Sequence, residues 1–488
     1  MSVLQNYPAS SFYDEMMADA ESTRPHYEKF HRILQQMTEE ELHEKHETAQ
    51  LNFLRQGITF TVYHKDGGTE RTMPFDLVPI IIPPDQWETI ERGAKQRVRA
   101  LNHFLEDVYN GKKILEDGII PREFVENNQY YFEQQAGGLS LPHKNHIYLA
   151  GIDLIRDNEG TYRVLEDNLR NPSGMSYVFQ NRFVMRKVFP EFFFEHDICT
   201  LEHQMSHLHQ ALLSHVPENS KNPQAPTAVL QTPGMYNSAY YDHVFLAQQM
   251  GIELIEGQDL LIKDHVVYMK TVRGLQRVDI IYRRIDDEFL DPKEFREDSA
   301  LGVPGLVEAC RRGNVSIVNS VGNGVADDKA VYAFVPDMIR YYLEEEPILP
   351  NVDTYFLRDE KTREDVLSRL PELVIKNVGA SGGYDMLIGP QASPEEIERF
   401  RKKIQETPEQ YIAQPTIQLS RAPAFQEQRF YPCHVDLRVY AVGSDDVHVL
   451  PGGLSRVALK EGSLVVNSSQ GGGGKDTWVL RKGGSEHA

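Results

Sequence analysis

Residues Tyr148–Gly174, YLAGIDLIRDNEGTYRVLEDNLRNPSG, fold back on themselves as a β-hairpin when read for period and turn signals. In the second arm, alternation places Val164, Glu166 and Asn168 on one face. A four-residue turn, Asp157–Gly160, sets Asp153 opposite Val164 and diagonal to Glu166, at roughly 7–8 Å between backbones. A three- or five-residue loop would reverse that parity. Two carboxylates and an amide oxygen so arranged suit a hard cation such as Mg²⁺. A solvated acidic face on an edge hairpin gives the same pattern. The run that follows, NLRNPSG, puts Arg170, a proline and Ser173 directly behind these residues, a way of ending a strand against an anion.

The chain around this hairpin has 488 residues, too many for one core, so two or three domains are expected. A formal charge of −21 argues against nucleic acid or an anionic membrane as partner, since both repel such a surface. Three widely spaced cysteines suit a reducing cytosol and supply neither a disulfide framework nor a zinc site. The first residues show no apolar core behind positive charge, so no signal peptide is expected. No apolar run approaches the length that spans a membrane. Together these point to a soluble cytoplasmic protein.

Composition shifts suggest three regions. Residues 1–213 carry charged helices, a hairpin over GITFTVYHKDGGTERTMPFDLVPIII, a long amphipathic helix closed by Gly111, and the acidic hairpin. A Pro- and Asn-rich loop opens residues 214–345, whose β-α-β rhythm predicts a parallel-sheet unit, ending in one helix over DDKAVYAFVPDMIRYYLEEE. Residues 346–488 are rich in strands.

Within that last region LVIKNVGASGGYDMLIG is a strand ending in Lys376, a Gly-rich turn, and a second strand. Backbone N–H groups of Ser381, Gly382 and Gly383 can approach phosphate closely, although a plain hairpin loop looks alike. YIAQPT brings a strand to Gln414, VDLRVYAV puts Asp436 and Arg438 on one face, LPGGLSRVAL adds Arg456, and LVVNSSQGGGG adds Asn467.

The order Lys strand, Gly loop, hinge, Asp-x-Arg strand, arginine, Asn-Gly loop resembles an ATP-grasp nucleotide-binding domain. The element that would normally follow, Asp then Glu-x-Asn then a Pro-Gly-like turn, resembles Asp153, Glu166, Asn168 and Pro172–Gly174, at the other end of the chain. The sequence is therefore similar to the circularly permuted, glutathionylspermidine-synthase-like ATP-grasp proteins, over roughly 10–480. The implied fold is a multidomain α+β/α/β one: a permuted ATP-grasp core with a Rossmann-like α/β middle region of the kind that precedes it. YRRIDDEFLD is similar to the Arg-x-Asp strand end of glutathione synthetases, and VADDKAVYAF to the helix whose lysine faces the nucleotide. The pattern departs in two places, Asn377 after the lysine and Gln414 at the hinge.

What the resemblance implies is ATP- and Mg²⁺-dependent ligation of a carboxylate to an amine through an acylphosphate. Asp153, Glu166 and Asn168 are the implied metal ligands. Lys329, Lys376, Ser381, Gly382, Gly383, Gln414 and Asn467 are the implied ATP contacts. Arg438, Arg456 and Arg170 are the implied catalytic groups, and Arg284, Asp286 and Ser173 face substrate. Phosphotransfer to a non-carboxylate acceptor, and a catalytically silent nucleotide-binding protein, are the competing expectations.

Overall fold

Five sheets and their connecting helices organise the protein, a computed structural model that describes residues 7–8, 12–64, 67–379, 385–426, 429–459, 466 and 472–482. The largest sheet joins the two ends of the chain. Its strand order is Phe75–Ile82, Gly473–Val479, Val447–Val457, Arg429–Gly443, Leu149–Arg156, Tyr162–Asn168, with Arg421–Gln426 also paired to the long Arg429–Gly443 strand. Pairing is antiparallel except between Gly473–Val479 and Phe75–Ile82.

Alternation along these strands separates a core face from a site face. Ile152, Leu154, Leu437 and Val439 are fully or almost fully buried in one hydrophobic core with Ala94, Val98 and Leu101 of the helix Pro84–Asn110. That helix is the long amphipathic one expected, closed by Gly111. The opposite face buries Leu149, Tyr440, Val442 and Leu454 with Met175, Val178 and Met185 of the helix Met175–Val188. Farther along that second face stand Asp153 and Arg438.

The acidic hairpin differs from the expected register. Arg156 pairs with Tyr162, so the loop holds five residues, not four. Taken alone this would turn Glu166 away from Asp153. A β-bulge beyond the Leu154–Val164 pair absorbs one extra residue, Leu165, and Asp153 pairs directly with Glu166. Glu166 and Asn168 thus share the face of Asp153, whereas Val164 joins the core beside Leu154. Asp167, on the core face, is held by Arg97 through Nε (2.6 Å) and Nη2 (2.7 Å).

A four-stranded parallel sheet, ordered Ser316–Val318, Ile280–Arg283, Ala228–Gln231, Glu253–Ile255, realises the β-α-β rhythm of the middle region. The residue after its edge strand, Asn319, stitches it to the hairpin: the side-chain oxygen accepts from the N–H groups of Tyr148 (2.7 Å) and Leu149 (2.9 Å), and the amide donates to the carbonyls of Leu149 and Arg170. The single helix expected over 327–346 is instead broken into Lys329–Tyr332, Val335–Met338 and the wider turns of Ile339–Leu343. Pro336, lacking an N–H, fits only the first turn of a helix, so one starts anew there.

A smaller antiparallel sheet, ordered Tyr355–Phe356, Tyr411–Pro415, Leu373–Asn377, Met386–Ile388, packs one face on the helices Glu360–Ser368 and Pro394–Glu406. Leu373, Ile375, Leu387 and Ala413 fill that core with Val366, Phe400 and Ile404. Lys376 and Gln414, on alternate positions, fall on the other face. Among the described residues no helix is long and apolar enough to cross a membrane.

Candidate active site

On the large sheet, Asp153 lies at the centre of an arginine cluster and is 1% exposed. Both of its oxygens are engaged: Arg438 donates from Nε (2.6 Å) and Nη2 (2.8 Å), and Arg456 from Nη2 (2.8 Å). Arg456 also grips Asp436 through Nε (2.8 Å) and Nη2 (2.6 Å). The register dictates this arrangement, since Arg438 pairs with Asp153 and Asp436 with Arg456 across neighbouring strands. Burial pushes the Asp153 carboxyl up, but the two guanidinium groups outweigh it and hold it well below the usual carboxylate range. Gly151 makes room: a Cβ there would stand 3.0 Å from Pro172 and 3.3 Å from Cδ of Arg438.

Glu166 and Asn168 stand beside this cluster and are only part-buried. The Nζ of Lys329 approaches the Glu166 carboxylate to 3.6 Å. Lys329 reaches it because Asp328 caps the short helix, accepting from the N–H groups of Ala330 (2.8 Å) and Val331 (3.2 Å). From the small sheet comes Lys376, 9% exposed. Burial pulls its ammonium down to about 8; Lys329 acts in the same direction, while Glu166 and Asp153 oppose. Gln414, also buried, donates to Thr354 Oγ1 at 3.1 Å. The two sheets and the short helix Lys329–Tyr332 thus bring Lys376, Lys329, Glu166, Asp153, Arg438 and Arg456 to one place.

The turn after the hairpin forms a third side. Arg170 donates from Nε to Asp327 (2.8 Å), and its guanidinium lies 4.2 Å from the ring centroid of Tyr130. The Tyr130 hydroxyl donates to the carbonyl of Gly379 (2.8 Å), at the foot of the Gly-rich loop. Ser173 contributes its backbone carbonyl, which accepts from Tyr440 (2.8 Å) and Arg438 (3.3 Å). Arg284 and the exposed Asp286 sit next to this turn: Arg284 donates to the Asn171 carbonyl (3.4 Å), and Asp286 accepts from the Asn171 amide (2.9 Å). Ser381, Gly382, Gly383 and Asn467 lie outside the described residues.

Tyr130 and Asp327 are absent from the sequence reading. Asp327 had a signal, the Asp-Asp doublet before Lys329; Tyr130 sits in a stretch with no motif spacing. Among the described residues no group of three or more His, Cys, Asp or Glu side chains is placed to hold a metal.

A family model described as "Circularly permuted ATP-grasp type 2" matches residues 79–458. The chain belongs to that family. The match takes in the hairpin at 149–168 and the Arg429–Gly443 strand, far apart in sequence and paired in space. Among relatives, "Uncharacterized protein sll0335" of Synechocystis sp. is 48% identical over 98% of this chain and 99% of its own length. A "Putative glutamate--cysteine ligase 2-3" of Frankia alni is 39% identical over 98% of this chain, which spans only 55% of that protein. The glutathione synthetase-like effector GSS30 of Globodera pallida, solved in apo form, shares the fold with a TM-score of 0.58 at 11% identity, covering 91% of this chain and 98% of that one.

Proposed function

We propose that this ATP-grasp protein joins a carboxylate to an amine at the expense of ATP. The observation that carries the reading is the convergence of two lysines from one side, and the buried Arg456 with the part-buried Arg438 from the other, on Glu166 and Asp153. Such an arrangement neutralises and orients phosphate, which is most of what phosphoryl transfer asks of a protein. The Frankia relative's name favours the ligase reading over phosphotransfer to another acceptor.

In the proposed reaction a carboxylate oxygen of the acid attacks the γ-phosphorus, and ADP leaves. The amine then attacks the acyl carbon, inorganic phosphate leaves, and the nitrogen loses a proton. Lys376 and Lys329 hold the phosphates, with Gln414 at the adenine end; Ser381, Gly382, Gly383 and Asn467, outside the described residues, are assigned to ATP. Arg438 and Arg456 face the transferred phosphoryl group and the oxyanion. Arg170, Ser173, Arg284 and Asp286, the last two from the 214–345 region, are assigned to the substrates.

For Mg²⁺ the donor set fits with one change from the expected ligands. Asp153 already gives both oxygens to guanidinium groups, so we assign it to holding the arginines. Glu166, 3.6 Å from Lys329 Nζ, is available to a cation, and the buried amide nitrogen of Asn168 has no hydrogen-bond partner among the described residues, so that amide can turn its oxygen toward one. One carboxylate, one amide and phosphate oxygens are an ordinary Mg²⁺ environment. Held by Glu166 and Asn168, Mg²⁺ would supply charge neutralisation for the nucleotide's phosphates.

The test is thermal unfolding with Mg²⁺ and a non-hydrolysable ATP analogue. At a hundredfold excess over Kd, binding adds about 2.7 kcal/mol of stability. A Mg²⁺-dependent rise is expected; no rise at saturating nucleotide would overturn the reading. Lys376 makes a second prediction. Its charged form is the one that holds phosphate, so nucleotide affinity is expected to fall as pH rises through about 8. Lys376→Ala should weaken ATP far more than adenosine and flatten that pH profile, which parallel titrations with the two ligands would check.

A further inference from the structure

We infer that the one-turn helix Lys329–Tyr332 is the spacer that sets how far Lys376 stands from Glu166, and that the Tyr332 hydroxyl is its positioning group, backed by Asn351 and Arg97. The inference rests on the ligase reading and adds to it residues that act through Glu166 and Lys329.

Two sheets carry the site, so whatever joins them fixes the distance between its halves. The helix is attached to both. The Lys329 N–H donates to the carbonyl of Val378 (3.2 Å), two positions beyond Lys376 and just past its strand. At the other end the Tyr332 hydroxyl donates to the carbonyl of Val164, two positions before Glu166. The Tyr332 N–H closes the turn onto the Asp328 carbonyl (2.8 Å), and the ring is 2% exposed.

Val164 is where the bulge of the acidic hairpin begins, and the bulge decides which face Glu166 takes. The outer edge of the strand is clamped at that point. The Val164 N–H donates to the Pro350 carbonyl (2.8 Å), and the Val164 carbonyl accepts from the Val352 N–H (3.0 Å). The same Val352 N–H reaches the Tyr332 hydroxyl (3.0 Å), which therefore ties the strand, the helix and the segment Pro350–Val352 together. Asn351 holds that segment in place: its amide donates to the Tyr332 carbonyl (2.9 Å), and its oxygen accepts from Arg97 Nη1 (2.7 Å). The rest of the Arg97 fork grips Asp167, which stands between Glu166 and Asn168, and its guanidinium lies 5.3 Å from the Tyr332 ring centroid.

Arg97 and Asp167 are 1% and 3% exposed. A buried ion pair adds little net stability over apolar packing; its better-attested use is to fix one arrangement. Here the arrangement fixed is the strand that aims Glu166 against the helix that aims Lys329. Placement counts at this scale, since a displacement of about 1 Å can cost about a hundredfold in rate.

Tyr332→Phe isolates the hydroxyl and strands no buried group, because the Val164 carbonyl and the Val352 N–H keep each other. Calorimetric titration of the full chain with the non-hydrolysable ATP analogue, with and without Mg²⁺, reads its effect. The gain in affinity that Mg²⁺ brings is expected to shrink roughly tenfold, as for one lost contact to a charged group. Binding without Mg²⁺, which uses Lys376 and Gln414 on the small sheet, should stay at the parent value. In the double variant with Glu166→Gln the tyrosine change should cost nothing further, since both act through one carboxylate. Arg97→Lys, which keeps a cation for Asp167, should retain more of the Mg²⁺ gain than Arg97→Ala. A tyrosine that only supports the fold would lower the urea midpoint and leave the Mg²⁺ gain unchanged; that result would overturn the inference, as would an equal loss of binding without Mg²⁺. If the parent binds no nucleotide, the ligase reading falls first; if the parent binds and Tyr332→Phe matches it, this inference alone falls.

Discussion

Glu166→Gln is expected to reduce turnover by at least a factor on the order of 10²–10³ while leaving the fold intact. Shape is conserved, so what the substitution removes is one negative charge at the point where Lys329 and Lys376 converge. That charge is the only one in the proposed cation set, because Asp153 is committed to Arg438 and Arg456. The variant should bind Mg²⁺ and nucleotide together less well, yet bind nucleotide alone as well as the parent, or better, since the two lysines lose a competing anion. Stability should change by only about 0.5 kcal/mol, because Glu166 is part-exposed and its ion pair with Lys329 is long, at 3.6 Å. Measuring ADP formation and the Mg²⁺-dependent unfolding shift on one preparation separates the two effects. Turnover equal to the parent would remove Glu166 from the cation set.

Asp153→Ala should act in the opposite way, through the fold. Removing this carboxylate strands two guanidinium groups inside the sheet, and breaking a buried pair from one side costs about 3–5 kcal/mol. Arg456 keeps Asp436, but among the described residues Arg438 keeps only the Ser173 carbonyl. A urea titration should show the midpoint falling with little change in slope. In the parent, the Asp153 carboxyl is held below its unfolded value, so its contribution is complete at pH values above the ordinary carboxylate range. That contribution is lost as pH falls through the range, and the variant's stability should decline less steeply there. A midpoint equal to the parent's would show that the arginines do not depend on Asp153.

Much of this was legible because the chemistry of the site is written as strands. Alternation puts Glu166 with Asn168, and Asp436 with Arg438, whatever the tertiary context. What alternation cannot supply is a bulge. The five-residue loop and the extra Leu165 cancel, so Asp153 meets Glu166 by a route the hairpin parity did not contain, and Val164 goes to the core. Pro336 was visible and its effect on the 327–346 helix should have been read. Tyr130 and Asn351 were not readable in any comparable way. Each sits in its own segment with no partner nearby in sequence, and only folding brings them to Gly379 and Arg97.

The pairing of Asp153 with Arg438 spans 285 positions. At bacterial or eukaryotic synthesis rates of 5–20 residues per second, the carboxylate leaves the ribosome about 15–60 s before its arginine exists. Through that interval the Leu149–Arg156 strand has a partner on one flank only, the Tyr162–Asn168 strand, and its other edge is an open template for any passing strand. A nascent chain stopped short of residue 429 would therefore be more than inactive: it would carry a sticky edge with an unneutralised acid in its middle. Permutation leaves this sheet open until the strands from 429 onward have been made.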